Sequence, residues 1–230
     1  MGVRINKYIA SSGFCSRREA DRYVESGKVT IDGTVATNGS VVSEGQVVEV
    51  DGKTVNPEEN KIYIALHKPL GITCTTDRRD PTNIIDYVGM DDRIFPIGRL
   101  DKNSSGLILL TNDGDIVNKL LRAENGHEKE YQVRVDHKIA PGFKEKMENG
   151  LVILGQKTLP CRVRITGTHT FNIILKQGLN RQIRRMCDEL GYKVTKLRRI
   201  RFNNVLLGDL KYGQTRNLTK EEIRGLKSSD

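Results

Sequence analysis

The chain predicts an α+β fold in two parts, and three features carry that reading. Within residues 1–50, two short helical stretches precede strands that alternate around Asp32-Gly33. Residues 51–60, DGKTVNPEEN, are polar and contain Pro and Gly, which reads as a linker. In residues 61–230, apolar runs of strand length alternate with stretches whose apolar residues recur at helical spacing.

In the first part, Ile5, Tyr8 and Ile9 predict a helix over 4–12, ended by Gly13. Ser16-Arg17-Arg18-Glu19 is a capping box opening a second helix, with Ala20, Tyr23 and Val24 as its apolar stripe and Gly27 as its stop. Asp32-Gly33 is a hairpin turn signal, and a strand over 46–50 closes the unit.

The second part opens on an apolar strand that ends at His67, before a turn at Lys68-Pro69-x-Gly71. A short helix is expected near 84–88. Residues 98–115 follow: a polar turn with Arg99, Asp101, Ser104 and Ser105, a buried strand over Leu107–Leu110, and a helix with Ile116, Val117, Leu120 and Leu121 at helical spacing. Residues 129–136 alternate as a half-buried strand, 141–149 read as an exposed helix, and strands are expected near 161–166 and 171–176. Asn180 is a suitable N-cap for a helix running to Leu190, with Gly191 as its stop. Ile183, Met186, Cys187 and Leu190 define its buried face. At about 100° per residue, Arg184 falls on the flank of that face, with Arg181 and Arg185 on the far side.

Composition narrows the function classes. The 230 residues are 37% hydrophobic and 29% charged, which fits a globular protein, with a net charge of +9. No apolar run approaches the roughly 18 residues a membrane span needs, and the N-terminus lacks the apolar core of a secretory signal. Asn6 stands where N-myristoylation wants Ser or Thr. Cys15, Cys74, Cys161 and Cys187 form no C-x-x-C pair and have no clustered histidines, so they read as reduced thiols of a cytoplasmic protein, with no metal site. Residues 1–60 hold seven basic against nine acidic residues, while the remainder holds 31 against 20. Residues 176–201 hold nine basic and two acidic residues, which points to a polyanionic partner, with a solvated surface as the plain alternative.

Asp101 sits just before a core strand, between two glycines, which is a rigid mount for a charged group. Most loop aspartates instead bond their own backbone. The longer pattern, Gly-Arg-Leu-Asp-x-x-Ser-x-Gly-Leu followed by Leu-Thr-Asn-x-Gly, resembles the catalytic motif of RNA pseudouridine synthases of the RsuA-like, small-subunit/large-subunit rRNA branch. Four further segments are similar to that family: Lys68-Pro69, Lys129-x-Tyr131-x-Val133, GLNRQIRRM (178–186) and Lys196-Leu197-Arg198. GLNRQIRRM is closer to the F-type large-subunit members than to the small-subunit or B-type members. RINKYIA, CSRREAD and GKVTIDG resemble the S4-type RNA-binding domain.

The resemblance implies an S4-type domain over 1–50 and a synthase domain with a mixed, largely antiparallel sheet over 61–230. It implies Asp101 as catalytic aspartate, Arg184 as its arginine partner and Tyr131 in the active site. Leu197 would pack near the target base, and Lys68 would be structural. Arg99, Arg181 and Arg185 complete the expected substrate contacts. In the S4-type domain the matching RNA-binding positions are Arg4, Lys7, Arg17, Arg18, Arg22 and Lys28, unless the helix arginines pair with Glu19, Asp21 and Glu25. The expected substrate is 23S rRNA, with a tRNA anticodon as a further one, handled by a cytoplasmic monomer without cofactor or membrane. The reaction breaks the N1 glycosidic bond of uridine and joins C5 to the same sugar carbon. Asp101 would add to C1′ or remove the C2′ proton, and a bidentate Arg184 would fix its direction. Two other readings stand beside it: a non-catalytic rRNA-binding or assembly protein, and a glycosidase, which would need a second acid.

Overall fold

The computed structural model describes residues 2–121 and 126–228. It divides into two compact units, one built mainly from residues up to Ile62 and one from Tyr63 onward.

In the amino-terminal unit, helices Ile5–Ser11 and Arg17–Glu25 precede a four-stranded antiparallel sheet ordered Thr34–Val35, Val29–Ile31, Val48–Val50, Lys53–Val55. The capping box forms as read: the Ser16 side chain accepts from the Glu19 N–H while the Glu19 carboxylate accepts from the Ser16 N–H. Those bonds hold the Glu19 carboxyl below its ordinary pKa. Asp32 and Gly33 both have positive φ, 50° and 78°, as a two-residue hairpin with a type I′ turn requires. Ile5, Ile9, Ala20, Val24, Val29, Val48 and Val50 make the core. The expected linker is shorter than 51–60. Lys53–Val55 pairs with Val48–Val50 through a turn at Asp51-Gly52, and Val55 is buried. Composition favoured a linker because Lys53 and Thr54 face solvent and only Val55 reaches the core.

The second unit is a nine-stranded sheet. Its order is Arg162–Gly167, Thr170–Leu175, Lys129–Val135, Val194–Phe202, Ser105–Thr111, Tyr63–Lys68, Thr215–Asn217. Phe95–Ile97 adds to Ser105–Thr111, and Val205–Leu206 adds to Val194–Phe202. Every pairing is antiparallel except one: Val194–Phe202 runs parallel to Ser105–Thr111, with Arg199 opposite Gly106. That junction separates two cores. One packs helices Phe143–Glu148 and Gln182–Glu189 on Val133, Phe171 and Ile173. The other packs helices Gly114–Leu121 and Lys220–Ser228 on Ala65, Leu107 and Leu109. Leu107–Leu110 are buried on both faces, each worth about 1.5–3 kcal/mol relative to exposure. The 141–149 segment is helical only over Phe143–Glu148 and is not wholly exposed, since Phe143 and Met147 are buried four residues apart. Gly106 makes the parallel junction feasible: its φ is +109°, and a Cβ there would run into the Arg199 carbonyl.

Candidate active site

Asp101 lies on the loop leading into Ser105–Thr111, beside the junction of the two cores. The loop is braced through its backbone. The Ser104 N–H donates to the Asp101 carbonyl at 2.9 Å, the Gly71 N–H donates to the Lys102 carbonyl at 2.9 Å, and the Leu100 N–H donates to Cys74 Sγ at 3.4 Å. Lys68, fully buried, donates from Nζ to the Pro69 and Ile72 carbonyls and so pins the adjoining turn. Burial lowers its pKa, and its bonds are spent on structure.

The Asp101 carboxylate itself accepts no hydrogen bond from any described residue, which sets it apart from a turn aspartate. Its neighbours are two guanidiniums: Arg184 Nε at 3.7 Å and Arg181 Nη1 at 3.8 Å from Oδ2. Arg184 comes from the flank of helix Gln182–Glu189 and its side chain is 12% exposed. Its fork does not grip the carboxylate in a bidentate pair. Nη2 donates to the Asn103 carbonyl at 2.7 Å and to Ser104 Oγ at 3.2 Å, and Nη1 donates to the Val194 carbonyl at 3.3 Å. Nε, buried and unpartnered, is left facing Asp101. Burial first, and Arg181 second, lower the Arg184 pKa from its ordinary value.

Asp101, Arg99, Tyr131, Arg181 and Leu197 line one cleft of about 660 Å³. A carboxylate on a braced loop beside two guanidiniums, with an aromatic ring and a buried leucine in the same cleft, suits chemistry on a flipped-out nucleotide. Comparison with known proteins decides the class. Residues 62–189 match the family model described as RNA pseudouridylate synthase, and residues 3–48 match the S4 domain. The chain belongs to the RNA pseudouridine synthase family.

It is 52% identical over 223 residues to the dual-specificity RNA pseudouridine synthase RluF of Escherichia coli strain K12, covering 96% of this chain and 77% of that one. It is 35% identical to ribosomal large subunit pseudouridine synthase B of Bacillus subtilis, covering 98% and 96%. A crystal structure of a pseudouridylate synthase superposes with a TM-score of 0.71 at 28% identity, covering 97% of this chain and 99% of that one. The protein is thus an isomerase acting on uridine in RNA, and not a binding protein alone or a glycosidase.

The synthase departs from the sequence reading at its arginines. Asn180 is not the N-cap of helix Gln182–Glu189. Arg181 occupies that position with φ 51°, in the left-handed region. The Leu179 N–H donates to Gln182 Oε1, and the Gln182 N–H donates to the Leu179 carbonyl, closing a turn that delays the helix by one residue. Arg181 therefore swings towards Asp101 instead of facing away, with its side chain 47% exposed. Arg185 stays outside, donating to the carbonyl and Oδ1 of Asn180.

Among the cleft residues that the sequence reading does not name are Lys129 and Arg199. Both lie on the Tyr131 face of their strands, so alternation from Tyr131 and Leu197 carried the signal. A bulge at Ile200 brings Arg199 and Phe202 onto one face, with the guanidinium 5.6 Å from the ring centre. Arg199 is buried and donates from Nε to the Leu107 carbonyl at 2.6 Å. Burial, with Arg199 adding repulsion, lowers the Lys129 pKa to about 8. Raising pH through 8 should therefore remove a positive charge from the cleft and weaken RNA binding. Lys129→Arg stays charged and should flatten that step in a binding titration; an unchanged step would place its origin elsewhere. Folding stability should rise as pH increases from about 8 towards the ordinary 10.5, because only the unfolded chain holds that proton there.

In the amino-terminal unit, the acids on helix Arg17–Glu25 are occupied within the fold. Glu19 serves the capping box, Asp21 accepts from Asn6 and Glu25 accepts from Asn38. Arg17, Arg18 and Arg22 are exposed and make no ion pair with a described residue. Arg4 is exposed as well, whereas Lys28 pairs with Asp51 at 3.3 Å. Among the described residues, no helix is long and apolar enough to cross a membrane, and no group of His, Cys, Asp or Glu could hold a metal.

Proposed function

We propose that this synthase modifies a uridine of 23S rRNA, and a tRNA anticodon as a further substrate, with Asp101 as the catalytic aspartate. The observation that carries the assignment is a carboxylate that accepts no hydrogen bond from any described residue, 3.7 and 3.8 Å from two guanidiniums, in a cleft shared with Tyr131. The target nucleotide leaves its stack, because the sugar C1′ is screened inside a stem. Asp101 adds to C1′ and displaces N1, or takes the C2′ proton as N1 leaves; C5 then bonds to C1′, releasing the carboxylate in the first route and taking the proton back at C2′ in the second. Tyr131 stacks on the detached uracil, and its hydroxyl accepts the C5 proton. Arg184 holds the loop that carries Asp101, and Leu197 packs near the base. The names of the RluF and synthase B relatives support ribosomal and dual specificity.

The test is tritium release from C5-labelled uridine in 23S rRNA and in tRNA, with the modified position mapped in a deletion strain. Release from neither RNA would overturn the substrate assignment.

The unpaired arginines support a role for the S4 domain in holding folded RNA, in a cytoplasmic monomer. Arg18→Glu with Arg22→Glu is expected to reduce the salt slope of rRNA binding by about two and weaken binding several-fold. The single-turnover rate at saturating enzyme should not change. An unchanged affinity would remove these two residues from the RNA interface.

A further inference from the structure

The sheet of the synthase domain has a second concavity, on the face opposite the Asp101 cleft. Successive strand residues point to opposite faces. Tyr131 and Arg199 line the cleft, whereas Gln132, Arg134, Lys196 and Arg198 line a groove of about 780 Å³, which Arg164 joins from an outer strand. Arg134 lies directly opposite Lys196 on adjacent antiparallel strands. Like charges so placed destabilise a sheet. The Arg134, Arg164 and Lys196 side chains are exposed and make no hydrogen bond or ion pair with a described residue. Arg198 donates to Gln132 Oε1.

Other cations on the same face are neutralised. Arg201 pairs with Glu128 and Glu130 at 3.0 and 3.1 Å, and Arg162 pairs with Glu128 at 2.5 Å. One end of the sheet face is therefore balanced by acids, while the groove keeps a mutually repelling cluster without any. Repulsion held at a concave surface is relieved by an anion, and an extended array of cations fits a polymer of phosphates better than a single ion.

We propose that this groove binds the phosphate backbone of a second RNA segment, outside the Asp101 cleft, so that a large substrate is held on both faces of the sheet. The proposal rests on RNA being the substrate.

The test is a variant carrying Arg134→Gln, Arg164→Gln and Lys196→Gln. Its probes are a 23S rRNA fragment of several hundred nucleotides and the minimal stem-loop around the uridine modified in it. At about 0.15 M salt, affinity for the long fragment is expected to fall on the order of tenfold, and its salt slope by about two to three. Affinity and single-turnover rate on the stem-loop should be unchanged. The melting temperature should hold or rise, because the Arg134–Lys196 repulsion is gone. An unchanged salt slope on the long fragment would overturn the proposal and leave this face to another partner, such as an acidic protein segment. Equal losses on both RNAs would also overturn it, by placing the effect in the catalytic cleft. Failure of the catalytic reading is read separately, as absence of tritium release by the unmodified protein.

Discussion

Asp101→Asn is expected to slow turnover on the order of 10⁴-fold or more, the scale seen when a nucleophile is removed from an enzyme. RNA affinity should stay within a few-fold of the unmodified protein. Asparagine keeps the shape of the side chain, and the loop does not depend on the carboxylate, because its bracing bonds run through the Asp101 carbonyl, the Asn103 carbonyl and Ser104 Oγ. The substitution also leaves Arg181 and Arg184 without their negative neighbour, so any change in affinity for a polyanion should be a gain. Single-turnover tritium release, set beside filter binding with the same RNA, separates the two effects. Residual activity above a few per cent would take Asp101 out of the mechanism. Weakened binding in proportion to the lost activity would mean that the carboxylate holds the loop or the RNA instead of reacting.

How far the site could be read beforehand depended on whether one segment carried the information. Asp101, Tyr131 and Arg184 sit in long motifs, and helix periodicity placed Arg184 on the flank of the buried face where the fold has it. Arg181 was misplaced because its direction is set by the Leu179–Gln182 turn, where one left-handed residue moves the helix start. Arg199 looks like a surface cation in a basic stretch, and Lys129, between Glu128 and Glu130, like one in a mixed charged segment. Alternation from Tyr131 and Leu197 assigns their face, but how far they are enclosed follows from the parallel junction and the bulge at Ile200, which are long-range features. The strand at Lys53–Val55 was hidden for a related reason: an edge strand with one buried residue has the composition of a linker. The two-core sheet was more legible, since Leu107–Leu110 and the helix stripes are set by local pattern and burial together.

Arg184 and Arg181 stand at nearly equal distances from Asp101, yet their substitutions are expected to differ. Arg184 has its side chain 12% exposed and ties the Asn103 carbonyl, Ser104 Oγ and the Val194 carbonyl together, so it sets where the Asp101 loop stands. Arg184→Ala removes all three bonds and leaves the partly buried Val194 carbonyl and Ser104 Oγ short of a donor. A loop displaced by about 1 Å is enough to cost on the order of 100-fold in a positioned reaction, and the lost charge beside Asp101 adds to that. Arg184→Lys keeps the charge but cannot reach three acceptors with one ammonium, so it should recover only part of the rate. Arg181 has its side chain 47% exposed, and among the described residues that side chain has only its 3.8 Å approach to Asp101. Its ion pair is open to solvent and is screened by salt. Arg181→Ala should therefore weaken RNA binding, lower its salt slope by about one, and reduce the single-turnover rate only a few-fold. Raising the salt concentration should bring the unmodified enzyme and Arg181→Ala closer together in rate at saturating enzyme, and should leave the gap to Arg184→Ala unchanged. Equal losses in the two alanine variants, converging together in high salt, would show that Arg184 acts as a charge and that its grip on the loop is incidental.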